Sequence, residues 1–383
     1  MSKTPLQQLA DHGQSVWIDY LSRDLVESGE LARLIRDDAV VGITTNPTIF
    51  QQAISAGNGY DDQLAMEADE THDPERTFWR LAARDVGEAC DVLRPVYDRV
   101  APAGNTSLPG RHRDGFVSIE VDPRLAYDTV ATEAAAVKLH ALIDRPNLLV
   151  KIPATKEGLP AIEDMIANGK SINVTLIFSL QRYTEVAEAY LRGLERLVAA
   201  GGDPAPVASV ASFFVSRVDT ETDRRLEKIG GHDGLKGKLA VANAKLAYRR
   251  YLQFFSGERW NALAAKGASS QRCLWASTST KDPGYSDVKY VEELIGPETV
   301  NTLPEKTLRA FQHHGKAHTT IDTGIGDAQR LLELLAKAGI DYDDVTATLE
   351  RQGVAAFEKS FAQLLEQIGA AAGEVEARRK ASG

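Results

Sequence analysis

Cysteine is nearly missing from this sequence: 383 residues contain two, Cys90 and Cys273. Two thiols make neither a disulfide framework nor a thiolate metal site, and their scarcity fits a reducing, cytoplasmic setting. Long apolar runs are missing too, none approaching the span of a bilayer. The opening Met1-Ser2-Lys3-Thr4-Pro5 has none of the apolar character of a signal peptide, so a soluble, untargeted protein is expected. Positive charge is in deficit, 44 Lys and Arg against 54 Asp and Glu, giving a net charge of −10 and a pI of about 5.4. No global field therefore favours nucleic acid or an anionic membrane, and a phosphorylated ligand would need cations supplied locally. Internal repeats and low-complexity segments are absent.

What is present is ordinary globular composition, 43% hydrophobic and 26% charged, on a chain long enough for one large domain or two medium ones. Short β-branched runs alternate with longer helical patterns to about residue 310, the sign of a parallel α/β fold. Strands are predicted near 16–20, 40–46, 115–121, 148–153, 171–178, 207–215, 272–278 and 300–303. Eight strands suggest a closed (β/α)8 TIM barrel. Amphipathic segments at 74–99, 123–142, 179–200 and 219–255 would form its outer ring, several opened by Pro, Asp or Ser. Residues 101–114, broken by Pro, Gly and charge, read as a surface loop with no chemistry. From about 326 to 377 the pattern gives additional C-terminal helices, which either cross the barrel or make a subunit contact. A frayed basic end, Arg378-Arg379-Lys380, would follow.

Alternation within the strands is informative, because one face of a barrel strand meets helices and the other the interior. Val16 and Ile18 share the outer parity, which turns Asp19 inward. Ile119 and Val121 leave Ser118 and Glu120 inside; Val150 and Ile152 leave Lys151 inside. The same parity puts Asn173 and Thr175, Asn46, and Ser212 and Phe214 on the inner face. The polar members lie near the C-terminal ends of their strands, where barrel enzymes keep their active sites. One buried polar group is commonly structural, but an apolar core could not satisfy so many at one end.

An inward Lys151 between Val150 and Ile152 is desolvated, which favours the neutral amine that attacks carbonyls. The alternative is a structural ion pair with Glu120 or Asp19. Carbon–carbon cleavage beside an imine also needs a base for a hydroxyl proton and a second acid/base for carbinolamine chemistry, and two carboxylates meet two needs. Asn46, Asn173, Ser212 and Thr175 could hold a small polyhydroxylated fragment. Metal chemistry is poorly supported: His314 and His318 have i, i+4 spacing, but Gly315 lies between them and no carboxylate stands at ligand spacing. Gly324-Ile325-Gly326 lacks the third glycine of a dinucleotide loop, so neither metal nor cofactor is expected.

Six segments, in this order, resemble the transaldolases: Val16-Trp17-Ile18-Asp19, Gly42-Ile43-Thr44-Thr45-Asn46-Pro47, Ser118-Ile119-Glu120-Val121-Asp122-Pro123, Leu149-Val150-Lys151-Ile152-Pro153-Ala154-Thr155, Ile172-Asn173-Val174-Thr175-Leu176-Ile177-Phe178-Ser179 and Ser212-Phe213-Phe214-Val215-Ser216-Arg217. The resemblance covers about 12–320 and implies one barrel domain over 1–383. It implies that Lys151 forms a Schiff base with sedoheptulose 7-phosphate or fructose 6-phosphate. Asp19 would deprotonate the C4 hydroxyl, and the dihydroxyacetone unit would pass to glyceraldehyde 3-phosphate or erythrose 4-phosphate in the pentose phosphate pathway. Glu120 would move protons through a water held by Thr175, while Asn46, Asn173 and Ser212 hold hydroxyls and Arg217 clamps phosphate.

Fructose 6-phosphate aldolases, related proteins, carry Gln and Tyr where this chain has Glu120 and Phe214, which favours the transferase. Many transaldolases also carry a second phosphate-binding Arg after an Ala-Ser. Here Ala276-Ser277 is followed by Thr278-Ser279-Thr280-Lys281, so Ser277 and Lys281 are carried over to that duty. The length suggests the longer bacterial subgroup and leaves a homo-oligomer open. Two other readings stand beside this one: a class I aldolase that frees dihydroxyacetone, and a non-catalytic sugar-phosphate-binding barrel.

Overall fold

Each of the eight aliphatic runs becomes a strand, and the strands pair in parallel and in chain order until the last closes on the first. They are β1 (Gln14–Ile18), β2 (Val40–Thr44), β3 (Phe116–Glu120), β4 (Leu148–Pro153), β5 (Ile172–Ile177), β6 (Ser209–Phe214), β7 (Arg272–Ala276) and β8 (Thr299–Leu303). The computed structural model describes residues 3–56, 59–70, 73–99 and 113–382. Strands buried on both faces need apolar outer residues for the helices, and Val16, Ile18, Ile119, Val150, Ile152 and Val174 supply them, each at most 1% exposed.

The bottom of the barrel is plugged. Arg272 at the start of β7 donates to Asp114 Oδ1 (2.8 Å) and Ser15 Oγ (2.8 Å), and the Trp17 indole donates to the same carboxylate (3.0 Å). Burial works against the Asp114 charge, but the Arg272 guanidinium and these donors outweigh it and hold the carboxyl below its usual range. Gly42 on β2 is fixed by the same plug, since a Cβ there would run into the Trp17 ring. Of the predicted loop, residues 101–112 lie outside the described residues. Asp114 departs from that reading, because it serves the barrel floor rather than the surface.

Two predicted helical segments split. The first gives a 3-10 turn, Pro123–Leu125, and a helix, Thr129–Ile143, capped by Asp128. The second gives Ser216–Ile229 and Leu239–Phe254, because Gly230 and Gly231 both take φ near +78°, which ends a helix. The C-terminal pair is Ile325–Lys337 and Tyr342–Ser382, the latter continuing through the basic end expected to fray.

This last helix crosses the C-terminal mouth of the barrel. Arg225 pairs with Asp344 (2.6 Å), Thr48 Oγ1 donates to Ser360 (2.9 Å), and the Phe361 ring packs on Phe78 (5.4 Å). Gly353 lets it approach β5, since a Cβ there would already stand 3.0 Å from Leu176 Cδ2. No helix among the described residues is long and apolar enough to cross a membrane.

Candidate active site

Register brings the central groups together. Glu120, Lys151 and Asn173 are direct neighbours across β3, β4 and β5, because Glu120 pairs with Lys151 and Lys151 with Asn173. Lys151 is 4% exposed, donates to the Thr45 carbonyl (2.9 Å), and stands 3.2 Å from Glu120 Oε2. That contact lies within ion-pair distance but outside hydrogen-bond geometry, so both Glu120 oxygens are buried without a hydrogen-bonding partner. Burial pushes the Glu120 carboxyl up, the Lys151 charge opposes this, and Asp19 adds to it. The ion pair weighed from the sequence is thus present, and it uses one carboxylate of two.

Asp19 and Asn46 sit one and two residues beyond their strands. The Asp19 amide still donates to Leu303, extending the ladder, while Asn46 is the N-cap of helix Pro47–Ser55 and accepts from the Ile49 amide (3.1 Å). Inward parity therefore does not describe Asn46: Asn-Pro ends the strand and starts a helix, leaving its amide nitrogen for the pocket. Asp19 accepts from the Thr44 hydroxyl (2.6 Å), which is 2.6 Å from Thr302 Oγ1. Burial raises the Asp19 carboxyl, and the Lys151 charge and the Thr44 hydrogen bond pull it back.

Thr175 is placed by a bulge. Val174 pairs with Ala211 and Ile177 with Phe213, so Thr175 and Leu176 share the space opposite Ser212. Leu176 absorbs the extra residue at φ 59°, a left-handed conformation costing a leucine roughly 1–3 kcal/mol, and its side chain goes to Gly353. The Thr175 hydroxyl is fully buried with no hydrogen-bonding partner among the described residues. Ser212 donates to Asn173 Oδ1 (2.7 Å) and Asn173 donates to Ser118 (3.0 Å), a hydrogen-bonded row that fixes the amide orientation.

Nine of the eleven predicted residues line one cavity of about 130 Å3 at the mouth: Asp19, Asn46, Lys151, Thr175, Ser212, Phe214, Arg217, Ser277 and Lys281. Glu120 and Asn173 are not among its lining residues but adjoin Lys151 across the ladder. At the outer end Arg217 makes no ion pair among the described residues, and burial pushes its guanidinium below the ordinary value. Lys281 donates to Ser279 (2.8 Å), and burial and then the Arg217 charge lower its ammonium. Two cations lining one end of the cavity, the Arg217 charge lowering Lys281 and Arg217 itself without an ion pair among the described residues, suit a dianion. Ser277 sits beside them at φ 55° and shares a hydrogen bond with Ser216 (2.9 Å).

Sequence reasoning missed Thr44, Thr302 and Phe357. Thr44 was visible in the Thr-Thr-Asn-Pro run, whereas Phe357 belongs to a helix far along the chain. The two histidines share no helix, since Glu305–His314 ends before His318 and His314 pairs with Asp287 (2.9 Å). Among the described residues no three His, Cys, Asp or Glu side chains gather as a metal site. A larger hollow of about 450 Å3 lies outside the barrel between helices Leu239–Phe254 and Ile325–Lys337. It shares no residue with the mouth and contains none of the polar ring, so the smaller cavity is the candidate site.

A family model described as Transaldolase/Fructose-6-phosphate aldolase matches residues 16–368. A transaldolase of Acidothermus cellulolyticus is 56% identical over 366 residues, 95% of this chain and 96% of that one. Transaldolase 1 of Streptomyces avermitilis is 54% identical over 95% of this chain and 94% of its own, and Transaldolase 1 of Streptomyces coelicolor 53% over 95% and 93%. Identity of this order across nearly the whole of both chains marks a transferase enzyme, and the chain belongs to the transaldolase/fructose-6-phosphate aldolase family.

Proposed function

We propose that Lys151 carries a dihydroxyacetone unit as an imine between sugar phosphates, taken from sedoheptulose 7-phosphate or fructose 6-phosphate and given to glyceraldehyde 3-phosphate or erythrose 4-phosphate. The observation that carries this is one buried amine at the mouth, 3.2 Å from Glu120 and in the same cavity as Asp19, Arg217 and Lys281. The amine adds to the ketose C2 and water leaves. Glu120 and Thr175 offer three buried oxygens without hydrogen-bonding partners among the described residues, to which a bridging water could bond while relaying the protons of this step. Asp19 takes the C4 hydroxyl proton, the C3–C4 bond breaks, and its electrons pass towards the iminium as the aldose phosphate departs. Asn46, Asn173 and Ser212 hold the remaining hydroxyls, and Arg217 with Lys281 holds phosphate.

Phe214 packs on Phe178 (5.3 Å) and brings no hydroxyl near the imine, which supports transfer over release of free dihydroxyacetone. Two free, buried cysteines suit a reducing compartment, so the same reading puts the protein in the cytoplasm. Reduction with borohydride in the presence of fructose 6-phosphate, followed by peptide mapping, is the test: the adduct is expected on Lys151, and an adduct on any other lysine overturns the assignment.

A further inference from the structure

The wall facing Lys151 comes from the helix Tyr342–Ser382. Phe357 is 4% exposed, lines the mouth cavity, and has its ring centroid 5.9 Å from Lys151 Nζ. Its position is held on both sides: one turn earlier the helix passes so close to Leu176 and Phe178 that a Cβ on Gly353 would stand 3.0 Å and 3.5 Å from them, and Ser360 and Phe361, one turn later, are tied to Thr48 and Phe78. A ring clamped in this way is a fixed apolar surface over the reacting nitrogen.

After donor cleavage the bound fragment is an enamine whose C3 carries the electron pair of the broken bond. It has two fates. In transfer, C3 attacks the acceptor aldehyde carbon, the new alkoxide takes the Asp19 proton, and water then adds to C2 and releases product and amine. In loss, C3 takes a proton from water, the hydroxide left behind takes the Asp19 proton, water adds to C2, the C2–N bond breaks, and free dihydroxyacetone leaves. Both fates need one water at C2, which the Glu120 and Thr175 side can supply. Only loss needs a proton donor at C3.

We infer that Phe357 is a specificity-determining residue, an apolar lid that keeps bulk water from protonating C3 and so commits the fragment to transfer. Its ring face also lies close enough to favour the positive iminium nitrogen. The inference rests on the imine at Lys151 and adds to it a cause for retention of the fragment.

The test compares wild type with Phe357→Ala and Phe357→Leu, supplying fructose 6-phosphate in D2O with and without erythrose 4-phosphate. The readout is free, C3-deuterated dihydroxyacetone per transfer event, a ratio that does not depend on how much protein is folded. Phe357→Ala should raise it by about tenfold or more, the change expected for removing about 1.4 kcal/mol of discrimination. Phe357→Leu keeps most of the packing and should move it less, in the same direction, which keeps the test decisive if the alanine variant fails to fold. Borohydride trapping on Lys151 is run alongside. Trapping retained with an unchanged ratio overturns the lid, whereas no trapping on Lys151 in wild type overturns the imine and the lid with it.

Discussion

Replacing Thr44 by Val removes one hydroxyl and leaves the shape almost unchanged, which makes it a direct probe of Asp19. The Thr44 hydroxyl has one proton, given to Asp19 Oδ1 at 2.6 Å, and accepts in turn from Thr302 at 2.6 Å. A hydrogen bond to an ionised group contributes about 1.5–3 kcal/mol, and one pKa unit corresponds to about 1.36 kcal/mol. Its loss should therefore raise the Asp19 carboxyl further beyond the elevation that burial already imposes. In the proposed mechanism Asp19 acts as a base and must be ionised, so a higher value should move the acid limb of the kcat/KM profile towards alkaline pH. On the original limb the variant should be roughly ten- to a hundredfold slower, recovering as pH rises. Thr44→Ser, which keeps the donor, should follow wild type. A uniform loss at every pH with the limb unmoved would refute the reasoning and leave Thr44 as a packing residue.

Lys151→Arg should abolish transfer while the melting curve stays near wild type, because a guanidinium remains protonated and cannot add to a ketone; more than trace turnover would move the imine elsewhere. Arg217→Ala should raise KM for phosphorylated donor by about 10–100-fold, the equivalent of one charge-assisted contact. Lys281→Ala should raise it only a few fold, both acting little on unphosphorylated donors, and steady-state kinetics ranking the two equally would contradict the assignment. Asp114→Ala strands the buried Arg272 charge and should cost about 3–5 kcal/mol in denaturant unfolding with KM unchanged. A cost below about 1 kcal/mol would mean that water reaches the floor of the barrel.

Strand parity alone turned Glu120, Lys151, Asn173, Thr175 and Ser212 inward, because a period of two survives any moderate error in strand ends. It was least apt at Asn46, where chain direction changes and parity loses meaning. The bulge that orients Thr175 left no mark on the sequence, since Leu176 gives no hint of a positive φ. Phe357 was invisible for another reason: 206 positions separate it from Lys151, and the pattern of an amphipathic helix names its buried face without naming what that face covers. Asp114 was read with the loop it ends, although its partner Arg272 opens a strand whose interior end needed a counter-charge.

Among the described residues, the floor built from Arg272, Asp114 and Trp17 closes the lower end of the barrel, and the helix over the mouth narrows the upper one. On the proposed mechanism every substrate would therefore use the same passage, in turn. On that mechanism the aldose phosphate cut from the donor would leave before the acceptor enters, and each in its turn would occupy the cations at Arg217 and Lys281. Traffic of this kind makes the two half-reactions alternate, with the loaded enzyme waiting between them. Any aldose phosphate in excess would then obstruct fresh donor, and flux would follow the balance of the sugar phosphates more than the amount of either.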